Sequence, residues 1–235
     1  MSSVCLNVVG VSKTYSSGLL RKRRRRIFEH IGFSLRRGET VGIVGRSGAG
    51  KTTLGKIAAG ILAPSGGRVE YGGTDISAMD RRAFSRFRRS VQMVFQDPEG
   101  ALNPMKRIER QLLDVCTLTG TRDGEAAGAR IAEIFDQVGL SEEILSRLPR
   151  ELSGGQNQRV VLGKILLLEP EIIVLDEPTS ALDISVQASI LHLLKNLQRI
   201  RGLSYLFISH EREIVRFMCD RVYSLDRGKE EGELH

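Results

Sequence analysis

Gly45-Arg46-Ser47-Gly48-Ala49-Gly50-Lys51-Thr52 fits the spacing G-x-x-x-x-G-K-[ST], with Thr53 directly behind it. Each residue type there answers to phosphate chemistry. Glycines let backbone N–H groups converge on phosphate oxygens, the lysine reaches terminal phosphates, the threonine offers a hydroxyl to Mg²⁺, and a following helix adds its positive N-terminal dipole. A second chemical element is Ile172-Ile173-Val174-Leu175-Asp176-Glu177, an apolar run that ends in two acids. At the end of a buried strand Asp176 can hold Mg²⁺ through water, while Glu177, pointing elsewhere, can polarise an attacking water as a general base. By itself the pair reads equally as an acidic strand terminus before the turn at Pro178; beside a phosphate loop it becomes the other half of a nucleotide site. The third element, Leu152-Ser153-Gly154-Gly155-Gln156, places a serine N-cap and two glycines at a helix start. That is both an ordinary cap and a phosphate-binding terminus. One small domain has no need of two such termini on one terminal phosphate, unless the second serves another chain.

Elements of the right kind surround these residues. Thr40 to Val44 reads as a short buried strand feeding the glycine-rich turn, and Lys51 to Ile61 as the helix that leaves it. Val4 to Val11 and Ile27 to Leu35 read as strands of an N-terminal β region, and glycines and prolines from Pro64 to Gly73 mark turns around another. Met79 to Arg89 is basic and helical in pattern. From about Pro98 to Leu152 the chain shows helical patterns such as Ala126 to Val138 and little β character, as expected of a helical insertion. The strand Ile172 to Leu175, the helix Val186 to Ile200 and the strand Tyr205 to Ile208 then restore an alternation that implies a parallel sheet with crossover helices.

Composition limits the classes. With 235 residues and 41% hydrophobic content the chain can bury a full core, which excludes disordered and fibrous proteins. Net charge +7 suits an anionic partner without choosing one. Six of the basic residues form one run, Arg21-Lys22-Arg23-Arg24-Arg25-Arg26, which reads as a solvated hairpin loop or a contact with anionic lipid headgroups. No interleaved aromatics suggest a nucleic-acid groove, and no nucleic-acid partner is expected. Cys5, Cys116 and Cys219 are too scattered for a disulfide framework or a zinc site, and are expected as buried thiols. Neither a membrane-spanning run nor a signal peptide is visible, so any membrane role is expected to be peripheral.

Taken together, the glycine-rich loop, Gln96 within Phe95-Gln96-Asp97, the Leu152 to Gln156 segment, the Asp176-Glu177 pair, Ser180-Ala181-Leu182-Asp183 and Ser209-His210 stand in one order that resembles the ABC (ATP-binding cassette) ATPases across nearly the whole chain. The resemblance implies an α/β fold: a P-loop NTPase core of mainly parallel sheet, an N-terminal antiparallel β region and an inserted helical subdomain. Residues 1–97 and 153–235 would form the β region and core of one ABC ATPase domain, and 98–152 the helical subdomain. It also implies roles. ATP would be held by Tyr15 stacking on adenine and by Gly45, Arg46, Ser47, Gly48, Ala49, Gly50, Lys51, Thr52 and Thr53 around the phosphates. Catalysis would fall to Glu177, His210, Gln96 and Lys51, with Mg²⁺ held by Thr52, Gln96 and Asp176. Ser153, Gly154, Gly155 and Gln156 would contact ATP bound by an opposing subunit, with Asp183 at the dimer seam.

More narrowly, Phe95 to Pro98, Ala101-Leu102-Asn103-Pro104, Ser180 to Gln187 and Tyr205 to His210 resemble the peptide, nickel and metal-chelate importer group, above all the second of its two paired ATPases. The implied partners are a second ABC ATPase subunit in a homo- or heterodimer, two transmembrane permease subunits and, indirectly, an extracytoplasmic solute-binding protein. The implied location is peripheral, on the cytoplasmic face of the cell membrane. A soluble ABC ATPase serving a phosphonate-degrading enzyme assembly resembles the same group. Departures are Asn157, Gly163-Lys164 and Glu211 where other residues are usual, and Glu230-Glu231-Gly232-Glu233 in place of an apolar strand with no tail beyond it.

Overall fold

Two sheets organise the chain, and the computed structural model describes residues 3–17, 23–97, 99–225 and 229–233 of it. In the smaller sheet β1 (Val4–Ser17) pairs antiparallel with β2 (Arg23–Arg36) on one edge and β4 (Gly66–Tyr71) on the other, with β5 (Thr74–Asp75) beyond. The inward residues of β1 are Leu6, Val8 and Val11, so the two-residue period slips by one. The slip coincides with a register shift at Gly10, whose φ of 56° is left-handed and accommodates the extra residue.

The larger sheet has the order β10-β9-β3-β8-β7-β6. Its centre is β3 (Thr40–Val44), which runs parallel to both β8 (Ser204–Ile208) and β9 (Arg221–Ser224), while β7 (Ile172–Asp176) runs parallel to β8. At the edges lie β6 (Val91–Val94) and β10 (Lys229–Glu233), the latter antiparallel to β9. Every residue of β7 and β8 is buried, which is why those segments read as unbroken apolar runs rather than alternating ones.

Seven α-helices complete the described residues: α1 (Lys51–Ala58), α2 (Arg81–Ser90), α3 (Ile108–Leu118), α4 (Gly124–Val138), α5 (Gly154–Leu166), α6 (Ile184–Arg201) and α7 (Arg212–Met218). α1 stops three residues short of its expected end, in a turn at Gly60 that packs on the Phe87 ring. By compactness the residues fall into two units, Met1–Met93, Glu171–Glu177 and Gly202–His235 in one, Val94–Pro170 and Pro178–Arg201 in the other. The core of the first includes Ile43, Leu54, Ile57, Val174 and Ile208; that of the second is built on buried Leu112, Phe135, Leu162 and Leu194.

Two expectations are corrected. The basic run is not simply a loop: Arg21 and Lys22 lie outside the described residues, but Arg23 to Arg26 belong to β2 and pair with Ser17 to Thr14 of β1. Backbone pairing carries the ribbon on, since the exposed side chains of Arg24 to Arg26 remain in water. The acidic segment after Lys229 forms β10 rather than replacing a strand, because an edge strand needs backbone partners more than apolar side chains. All three cysteines are buried thiols. Among the described residues no helix is long and apolar enough to cross a membrane.

Candidate functional site

In the first unit, the ends of three strands bring chemistry together. β3 runs into the glycine-rich loop, whose tightness is enforced at Gly50: its φ is 99°, and an added Cβ would lie 2.4 Å from Ile27 Cγ2. Only a glycine satisfies both conditions at this position. Gly48 is also left-handed, and Ala49 N donates to Arg46 O at 3.1 Å, closing the loop on itself. Lys51, only 7% exposed, donates from Nζ to Gly45 O at 2.8 Å and Arg46 O at 3.3 Å. Its charge is therefore held within the loop, at the start of α1. Thr53 follows half-buried in the same turn.

Thr52 Oγ1 donates to Asp176 Oδ1 at 3.2 Å, so the loop and the end of β7 are joined directly. Burial pushes the Asp176 carboxyl above its usual range; the Thr52 bond, Lys56 and Lys51 pull it down, and the neighbouring Glu177 pushes it further up. A buried, crowded carboxylate beside a hydroxyl is a hard-oxygen donor set, and it fits a small divalent cation that also takes phosphate oxygens.

Glu177 adopts φ of 47°, a left-handed conformation unusual for this residue type, with its N–H donating to Ile208 O at 2.9 Å. Its side chain meets His210, while that of Asp176 bonds Thr52. Glu177 Oε1 then stands 3.1 Å from Nδ1 of His210, which follows β8. Strain held at one carboxylate, with an imidazole against it, is the arrangement of a positioned base. Tyr15, expected on adenine, is 44% exposed, with Lys13 Nζ 5.2 Å from its ring centroid. Lys13 was not expected. Its signal is the two-residue strand spacing, which sets residues 13 and 15 on one face; Nζ also donates to Ala63 O at 2.7 Å.

The remaining expected residues lie in the second unit. Gln96 follows β6 and is exposed. Ser153 caps α5 by a reciprocal box: Gln156 N donates to Ser153 Oγ at 3.2 Å, and Ser153 N donates to Gln156 Oε1 at 3.0 Å. Besides the capped amide of Gln156, the amides of Gly154 and Gly155 stand at the N-terminus of α5, where the helix supplies them no acceptor. Asp183 Oδ1 accepts from Val186 N at 3.0 Å at the start of α6. The two helix starts meet closely, for a Cβ on Gly154 would lie 3.2 Å from Leu182 Cδ2 and one on Gly155 2.6 Å from Val186 Cγ1. Asn157 is fully buried and donates to Pro149 O at 3.1 Å, fastening the segment before Ser153 to α5.

Residues 28–180 match the family described as ABC transporter. The chain belongs to the ABC transporter family. It is 38% identical over 224 residues, 95% of its length and 70% of the relative's, to a Brucella ovis protein named "Putative peptide import ATP-binding protein". It is 40% identical over 203 residues, 86% of its length and 62% of the relative's, to the Bacillus subtilis "Putative oligopeptide transport ATP-binding protein YkfD". Among solved structures it is similar to the dimeric ATP-binding cassette MJ0796 bound to ADP and phosphate, with TM-score 0.83, 28% identity and coverage of 98% of this chain and 99% of that one. It is also similar to cbiO1 of Clostridium perfringens, described as part of the ABC transporter complex cbiONQ, with TM-score 0.81 at 29% identity, covering 97% of this chain and 86% of that one. As a transporter ATPase of this family the chain hydrolyses ATP to ADP and phosphate, and its α/β fold is that of the family's nucleotide-binding domains.

Proposed function

We propose that this chain is the ATP-binding and hydrolysing subunit of an importer, coupling hydrolysis to uptake of a peptide, nickel or a metal chelate through two separate permease subunits. The observation that carries the ATPase half of the reading is the joining of Thr52, Asp176, Glu177 and His210 at the ends of β7 and β8, beside the loop that holds Lys51. Peptide leads the cargo classes, because the relatives cited are named for peptide or oligopeptide transport.

In this reading Tyr15 stacks on adenine, residues 45–53 hold the phosphates, and Lys51 leaves its loop carbonyls for the terminal phosphates. Thr52 and Asp176 would hold Mg²⁺, a role the resemblance also gives to Gln96, and the bound ion would neutralise phosphate charge. Glu177 accepts a proton from the attacking water, and His210 keeps that carboxylate in position and contacts the γ-phosphate. Residues 98–152 act as the helical subdomain within one ABC ATPase domain. Ser153 to Gln156 meet the ATP of a second ABC ATPase subunit, identical or paralogous, with Asp183 at the seam. The assembly sits on the cytoplasmic face of the membrane and receives solute from an extracytoplasmic binding protein through the permeases.

The stretch from Phe95 to Leu118 is the surface for the permease. Supporting it is a groove of about 570 Å³ lined by Met105, Arg107, Ser146, Arg147, Leu148 and Glu151, with Met105 81% exposed at its side. An apolar rim with charged walls suits a short amphipathic segment. The test is co-purification of the full chain with its neighbouring-gene permeases, followed by ATP-driven uptake of labelled peptide or nickel in vesicles. Stable association and ATP-dependent uptake are expected. Hydrolysis with no multi-span partner, or partners that are soluble enzymes, would overturn the importer reading.

A further inference from the structure

α2 carries Arg81, Arg82, Arg86, Arg88 and Arg89 in ten residues, with no acidic residue among them, and all five are exposed. At the helical spacing these positions span an arc of about 160°. The opposite side is apolar: Phe87 is fully buried and packs against the rings of Phe84 and Tyr71, with centroids 5.8 and 5.4 Å away. Among the described residues none of the five arginines has a carboxylate within ion-pair distance; Arg88 donates weakly to Gly60 O at 3.4 Å. Arg82 and Arg86, and Arg86 and Arg89, stand as like-charge neighbours on adjacent turns, an arrangement that repels itself. The helix is one part of a wider asymmetry. Residues 1–93 hold 18 Lys and Arg against 5 Asp and Glu, whereas the other residues hold 17 against 23.

We infer that the arginine face of α2 is a docking surface for anionic phospholipid headgroups, an inference that rests on the proposed membrane-side role. Guanidinium groups take phosphate oxygens in pairs, and a plane of headgroups meets a broad convex arc better than a single ligand does. No exposed large hydrophobic residue lies on α2. The face therefore lacks the aromatic or aliphatic anchors of a protein interface and the stacking rings of a single-strand nucleic-acid groove. Recognition by charge alone remains, and a lipid surface supplies it. The contact would hold and orient the subunit at the membrane without insertion.

The experiment is flotation of the full chain with phosphatidylcholine vesicles, with and without about 30% phosphatidylglycerol, at near-physiological salt. Binding to the anionic vesicles alone is expected, weakening as salt rises. The variant Arg82→Glu/Arg86→Glu/Arg89→Glu should weaken it about a hundred-fold. A control with the same change in net charge, Arg122→Glu/Arg199→Glu/Arg216→Glu, should weaken it less than about five-fold. Melting temperature and ATP binding report whether each variant is folded; should the Glu set fail to fold, the Gln set replaces it, with a smaller loss expected. Equal binding to neutral vesicles, equal loss in the control, or tighter α2-dependent binding to duplex DNA than to vesicles would each overturn the inference. Vesicle binding needs no permease, so its failure is distinguishable from a failure of ATP-driven uptake.

Discussion

Nδ1 of His210 stands 3.1 Å from Oε1 of Glu177, two side chains 33 positions apart in sequence that the neighbouring strands β7 and β8 deliver to one point. The carboxylate is 18% exposed and the imidazole 56%, so the pair lies at the rim where a water can reach it.

That relationship predicts a division of labour. Glu177→Gln keeps the shape and a weak acceptor but cannot take a proton, so ATP binding should be retained while turnover falls about 10²–10⁴-fold. His210→Ala should lower turnover as well, with nucleotide affinity changed little. Single-turnover hydrolysis in the assembled transporter checks both. Near-normal turnover of the Gln variant would remove Glu177 from the role of base.

Asp176 combines burial with a charge that the folded state disfavours. Its folded carboxyl holds a proton more tightly than the unfolded one, so ionisation costs stability once pH rises above the ordinary carboxylate range. Asp176→Asn keeps an acceptor for Thr52 and removes that cost. The nucleotide-free variant should melt higher than the parent at pH 7, and the gain should fade below about pH 4. Mg²⁺-dependent ATP hydrolysis should be lost in the same protein. Thermal melts across pH, with a hydrolysis assay beside them, make the comparison; a lower melting point at pH 7 would refute the account.

Ser153 caps the start of α5, and in the proposed reading this second helix start, besides the glycine-rich one at Gly50 and Lys51, serves the ATP of an opposing subunit. Ser153→Glu should leave ATP affinity of the isolated subunit within about two-fold, yet abolish ATP-dependent association and transport, because the new carboxylate faces phosphate across the seam. Loss of isolated binding with association intact would mean that this helix start acts within its own subunit.

Gly155 offers a sharper separation of packing from chemistry. Gly155→Ala drives a methyl to 2.6 Å from Val186 Cγ1, an overlap expected to cost about 1–3 kcal/mol. Adding Val186→Ala should recover most of that stability. If association with ATP stays impaired in the double variant, measured by light scattering, the glycine is needed for phosphate approach; full recovery would make its role purely steric.

Much of this was legible in the residues. The phosphate loop, the Asp176-Glu177 pair and the capped start at Ser153 each declare their chemistry locally, since backbone amides, a strand end and an N-cap are properties of adjacent residues. The buried strands were visible because complete burial leaves an unbroken apolar run, as in β7 and β8. What the sequence could not carry was distance between segments. That Thr52 bonds Asp176 and His210 meets Glu177 depends on strand order, which long crossovers set and no local pattern encodes. The same holds for β10, an acidic edge strand ordered by its neighbour's backbone, and for Gly155, whose lack of a side chain Val186 explains. Local chemistry is written in residue types, but the convergence of separated groups comes from packing, which only the tertiary structure decided.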